Sequence, residues 1–127
     1  KEVAIVAISS NDAETYPDDS PESLKQFAIA ESLPFILCYD PSQETAKAYS
    51  AACTPDFFLF SRDRSLIYRG QLDDSRPGNN IPPSGHDLRA AIDAALADKP
   101  VSEDQKASLG CNIKWKVGNE PVYFALK

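Results

Sequence analysis

Tyr49 to Asp73, YSAACTPDFFLFSRDRSLIYRGQLD, is the stretch from which the fold is read. Phe57-Phe58-Leu59-Phe60 is an apolar run of strand length, Ser61-Arg62-Asp63-Arg64 is polar and turn-forming, and Leu66-Ile67-Tyr68-Arg69-Gly70 is a second strand-like run. Two such runs joined by a short polar turn predict an antiparallel hairpin. Ala51-Ala52-Cys53 leads into Thr54-Pro55 directly ahead of it.

Working outward toward the start, Val3 to Ile8 is nearly continuous and apolar, which predicts a strand buried on both faces, as in a sheet covered by helices. Ser9 to Asp19 is polar and acidic, and Ser20-Pro21-Glu22-Ser23 supplies a cap residue with a proline in the first helical turn. Leu24, Phe27, Ala28 and Glu31 follow helical spacing until Pro34. Phe35 to Tyr39 predicts a second strand, closed by Asp40-Pro41. Ser42 to Ser50 reads as a short amphipathic helix, with Ala46 and Tyr49 on one side and Gln43, Glu44 and Lys47 largely elsewhere.

Toward the end of the chain, Asp73 to Pro83 is a loop rich in Pro, Gly, Asn and Asp, and His86 to Ala97 has Leu88, Ile92, Ala95 and Leu96 at helical spacing. Ile113, Trp115 and Val117 then alternate with Lys114 and Lys116, as in a strand. Glu120 to Lys127 reads as an added strand or a loose tail. The expected organisation is one α/β domain over residues 1–99 with a C-terminal extension over 100–127.

Composition narrows the function classes. Thirteen Lys and Arg against nineteen Asp and Glu leave a net charge of −6, and without clustered cations the chain lacks the means to grip phosphates, so nucleic acid is not an expected partner. No apolar run approaches the roughly 20 residues that cross a bilayer, so no membrane association is expected. Cys38, Cys53 and Cys111 are an odd, widely spaced set, unlike a secreted disulfide scaffold, which favours a reducing, cytoplasmic setting. With one histidine, His86, and no close cysteine pair, neither a metal site nor another cofactor is expected.

The Tyr49–Asp73 stretch also resembles the second half of thioredoxin-like and peroxiredoxin-like domains, and the wider string from Val3-Ala-Ile-Val-Ala-Ile-Ser-Ser-Asn-Asp12 to Gly110-Cys-Asn-Ile-Lys-Trp-Lys116 resembles a bacterial-type subgroup of the AhpC/TSA redoxins. The resemblance implies a thioredoxin-like three-layer fold with a mixed sheet. It makes Pro55 a cis-proline, an isomer that costs an X-Pro bond only about 0.5–1 kcal/mol. In the family the residue before that proline, here Thr54, lies beside the redox cysteine and pairs with a partner segment as an added strand. Thr54 and Pro55 are therefore the expected substrate-binding residues.

By the same resemblance, a strand and a cysteine-bearing helix start should precede the strand matched by Val3 to Ile8, and neither is found in these residues. A helix N-terminus favours the thiolate, so the nucleophile is expected upstream of residue 1. The implied function is thiol-dependent oxidoreduction of the antioxidant type, either thiol–disulfide exchange or peroxide reduction. Its partners would be a protein or small-molecule thiol or disulfide, or a peroxide. The 127 residues alone should then be inactive, with a damaged core. The alternative is a redox-inactive thioredoxin-fold module that binds extended peptides on the Pro55 face.

No catalytic residue is assigned within the chain. Cys53, two residues before Pro55, reads either as a second thiol in exchange or as a small buried residue, and Cys111 either as a resolving cysteine or as packing. Cys38 is expected in the core. Asp73 and Asp74 read as a solvated loop or as a contribution to partner binding, Asn11-Asp12 as a solvated acidic loop, and His86 as a surface residue.

Overall fold

The computed structural model describes residues 2–126, which form two compact units. One comprises the described residues up to Ala52 and those from Ile113 on, the other Cys53–Asn112. In the first, β1 (Val6–Ser9) pairs in parallel with β2 (Ile36–Tyr39), in the register Val6 to Ile36 and Ile8 to Cys38. Between them runs α1 (Pro21–Ala30), started by the Ser20 hydroxyl, which accepts the Ser23 N–H at 3.2 Å, and by Pro21 at its first position. After β2 comes the five-residue α2 (Glu44–Ala48).

In the second unit, β3 (Cys53–Thr54) leads into β4 (Phe57–Phe60), which pairs antiparallel with β5 (Leu66–Gly70) across the expected turn. Phe57 faces Gly70 and Leu59 faces Tyr68, with an irregularity between Leu59 and Phe60. α3 (His86–Leu96) packs against both strands, and Tyr68 and Ala91 form the buried centre. A last strand, β6 (Cys111–Asn112), pairs antiparallel with β3.

Four expectations are corrected. β1 is not buried on both faces: Val6 is 56% exposed, Ile8 42% and Ile36 64%, and Cys38, expected in the core, is exposed beside them. These four residues share one face of the β1–β2 pair because side chains alternate along a strand, and no described element covers that face. The alternation of residues 113–117 does not make a strand. Ile113 is buried and Val117 almost fully exposed, and the N–H groups of Lys114 and Lys116 donate to the side chains of Asn11 and Gln43 instead of to a neighbouring strand. Val122–Leu126 is a 3-10 helix, neither an added strand nor a loose tail.

The fourth correction is Gln43. Expected away from the Ala46 and Tyr49 side of a helix, it has no exposed surface and sits in the left-handed region at φ 63°, one residue before the helix. That conformation removes it from the helical repeat and turns its amide inward. The Nε2 group donates to the carbonyls of Ser10 (2.7 Å) and Lys114 (3.0 Å), while Oε1 accepts the Lys116 N–H (3.0 Å) and the Asn119 amide (2.8 Å). Burial of a polar side chain is tolerated because each polar atom is satisfied.

Candidate functional site

The site is built on the short β3–β6 ladder. Thr54 and Pro55 are both exposed, the peptide bond between them is cis, and Asp56 follows as the chain enters β4. The Asp56 side chain is nearly buried and lies 3.4 Å from the Arg69 guanidinium, which also stands 5.1 Å above the Phe58 ring. Arg69 so holds the start of β4 by charge and by its planar cation over an aromatic face.

Across the ladder, Cys53 faces Asn112 and Thr54 faces Cys111. The Ile113 N–H donates to the Ala52 carbonyl at 3.2 Å, and hydrogen-bonded pairs alternate along an antiparallel ladder, so Thr54 and Cys111 are a hydrogen-bonded pair. Directly opposite residues share a face, which puts Thr54 and Cys111 on one face and Cys53 and Asn112 on the other. Exposure agrees: the Cys111 thiol is open, and Cys53 is buried with its sulfur 3.6 Å from the carbonyl oxygens of Pro55 and Ser108.

Gly110 is what allows β6 so close. A Cβ there would lie 2.2 Å from the Thr54 carbonyl oxygen and 2.9 Å from its carbon, closer than carbon atoms tolerate. Just before β6, the Ser108 hydroxyl donates to the Gly70 carbonyl at 2.7 Å, and the Gln71 N–H donates to the Lys106 carbonyl at 2.9 Å. After β6, in the first unit, Lys114 donates its N–H to Asn11 Oδ1 (2.9 Å) and accepts the Asp12 N–H (2.8 Å), and the Gln43 amide holds Lys114, Lys116 and Asn119. Within the second unit the Gly-Cys-Asn segment is thus held by its pairing with β3 and by the bonds of Lys106 and Ser108 just before it.

The acidic residues serve the framework. Asp73 is buried, not solvated. The Ser75 hydroxyl and the N–H groups of Gly85, Ser75 and Ser84 all point at its carboxylate, outweigh the cost of burial, and hold its pKa far below the usual range. Asp74 is exposed and takes the Gln71 amide (2.9 Å) and the Lys106 ammonium (3.2 Å). Asp12 is buried too, and a hydrogen bond from the Thr15 hydroxyl lowers its pKa against the effect of burial. His86 begins α3, exposed, with Nδ1 3.0 Å from Asp87. Among the described residues no three His, Cys, Asp or Glu side chains converge as metal ligands, and no helix is long and apolar enough to cross a membrane.

The sequence reading missed Gly110, Gln43 and Asn11. A glycine directly before Cys111 was the available signal for the first, since a strand interior disfavours it unless another backbone comes close. Gln43 and Asn11 both reach Lys114, 71 and 103 residues away, and no local pattern announces those bonds.

The sequence matches the Redoxin family over residues 1–87. An uncharacterized conserved protein of known structure from Geobacillus kaustophilus is 60% identical and superposes with a TM-score of 0.88, over 90% of this chain and 60% of its own. A hypothetical protein from Sinorhizobium meliloti 1021 is 52% identical with a TM-score of 0.89, over 91% of this chain and 63% of its own. The chain therefore spans less than two thirds of either relative. No curated protein matches it.

Proposed function

The chain belongs to the Redoxin family and has a thioredoxin-like fold, and from that premise we propose that it is the platform of a thiol-dependent oxidoreductase whose nucleophilic cysteine is supplied by residues upstream of residue 1. The family match over residues 1–87 carries the reading. In it, the upstream thiolate attacks a disulfide or a peroxide at the exposed face of Thr54 and Pro55.

Two further observations support it. Cys53 is buried against the carbonyl oxygens of Pro55 and Ser108, which do not favour a thiolate, and Cys38 and Cys111 lie on short strands instead of at a helix start. The uncovered face of Val6, Ile8, Ile36 and Cys38 is also what a strand beside β1, with its following helix, would complete.

The test is to express the whole reading frame and follow dithiol-dependent consumption of a hydroperoxide and of a small disulfide. Turnover is expected, abolished by Cys→Ser at the upstream nucleophile and retained by Cys38→Ser. A full-length protein without turnover and without a thiol that alkylates rapidly below pH 7 would rule the function out.

A further inference from the structure

The backbone edge at Thr54, where the proposed function brings a substrate to the thiolate, is already occupied. A polypeptide docking as an added strand needs the N–H and C=O of the residue it pairs with. At Thr54 both are taken by Cys111 of the same chain, by the pairing register and the alternation of the ladder. Gly110 is fitted to that approach, since any side chain in its place would strike the Thr54 carbonyl.

The occupying segment is not a loosely lying tail. Just before it, Lys106 and Ser108 are bonded to Gln71 and Gly70. Displacing it would strain these bonds and break the two at Thr54. What stays open around Thr54 is the side-chain face: the exposed Thr54 and Pro55 and, opposite Thr54, the exposed Cys111.

We propose that the substrate is a low-molecular-weight disulfide or hydroperoxide and not an extended polypeptide, because the chain's own Gly110-Cys111-Asn112 strand fills the edge on which a polypeptide would pair. This rests on the proposed function and narrows its substrate. A thiolate attacking a small disulfide forms one S–S bond, breaks another, and releases a thiolate that takes a proton from solvent. Attacking a hydroperoxide, it gains the terminal oxygen as a sulfenic acid while the O–O bond breaks and the alkoxide takes a proton. With the hydroperoxide the enzyme sulfur is oxidised by two electrons; with the disulfide the S–S bond passes to the enzyme as a mixed disulfide, and in either case a dithiol donor, itself oxidised to a disulfide, restores the enzyme thiol.

The full-length protein is to be compared on three substrates: an alkyl hydroperoxide, a small symmetric disulfide and an unfolded protein carrying scrambled disulfides. The kcat/KM for at least one small substrate should exceed that for the protein disulfide by about 30-fold or more, the worth of the two backbone hydrogen bonds the polypeptide cannot make. The two small substrates distinguish the O–O from the S–S source. Equal or faster turnover of the protein disulfide would overturn the proposal and leave the oxidoreductase reading standing. Turnover of none of the three would end both. Amide exchange supplies a measurement independent of turnover: the Thr54 and Cys111 amides should stay protected when saturating unfolded polypeptide is added, and their release by it would overturn the proposal.

Discussion

Replacing Gln43 by alanine tests how the segment after β6 is held. The substitution removes four hydrogen bonds, to Ser10, Lys114, Lys116 and Asn119, at 2.7 to 3.0 Å. At about 1 kcal/mol net for each, less what the half-buried Asn119 regains from water, Gln43→Ala should cost about 3 kcal/mol. For a chain of this size that lowers Tm by roughly 10 °C. Denaturant unfolding gives the energy, and hydrogen exchange at the Lys114 and Lys116 amides gives the place, where protection should fall before that of β4 and β5. Glu44→Ala, one residue on and exposed, with only a 3.8 Å ion pair to Lys47, is the control and should stay within about 0.5 kcal/mol of the parent. A Gln43→Ala loss as small as the control's, or a loss with protection at residues 114–116 unchanged, would refute the reasoning.

Burial raises the pKa of Asp40, but hydrogen bonds from the Ser10 hydroxyl and from Thr45 and Ala46 outweigh it, so the folded pKa lies below the ordinary value. Stability from this group is therefore fully present above about pH 4, the unfolded carboxyl's range, and is lost as pH falls through the lower folded value; Asp40→Asn should flatten the acid limb of a pH–Tm curve, and an unchanged limb would exclude it. In the native 127-residue chain a thiol reagent should label Cys38 and Cys111 quickly and Cys53 only on unfolding, read by mass spectrometry, and labelling of Cys53 at the same rate would contradict its burial. Asp73→Asn should selectively speed amide exchange at Ser84 and Gly85, whose N–H groups its carboxylate accepts at 2.7 Å, whereas a uniform effect across α3 would point to general destabilisation. Gly110→Val should separate β6 from β3 and raise exchange at Thr54, while Gly78→Asn, in open space at a left-handed φ that Asn tolerates better than other side chains, leaves it unchanged.

What could be read from sequence was what local periodicity governs. Phe57–Phe60, Leu66–Gly70 and the start of α3 at His86 fall where the apolar spacing places them, because each is completed by a neighbour in the chain. The failures share another cause. Asp12, Gln43 and Asp73 look like solvent-facing polar residues in any short window, and each is buried by partners far along the chain or across a loop. Val6, Ile8 and Cys38 fail in the opposite direction. Their apolar run calls for burial that no described element provides.

Alternation along the β3–β6 ladder also limits what the two thiols at the site can do. Cys53 and Cys111 lie on neighbouring strands only one register step apart. Their side chains leave opposite faces, and a disulfide requires Cβ atoms roughly 3.5–4.5 Å apart and pointing at each other. The ladder therefore keeps them apart as long as β6 is paired. Of the two, only Cys111 shares the face of Thr54, so a second thiol taking part in exchange there would have to be Cys111, with Cys53 packed behind the strand. The pairing proposed to close the edge to a polypeptide is thus the same one that puts the Cys111 sulfur, and not that of Cys53, on the Thr54 face.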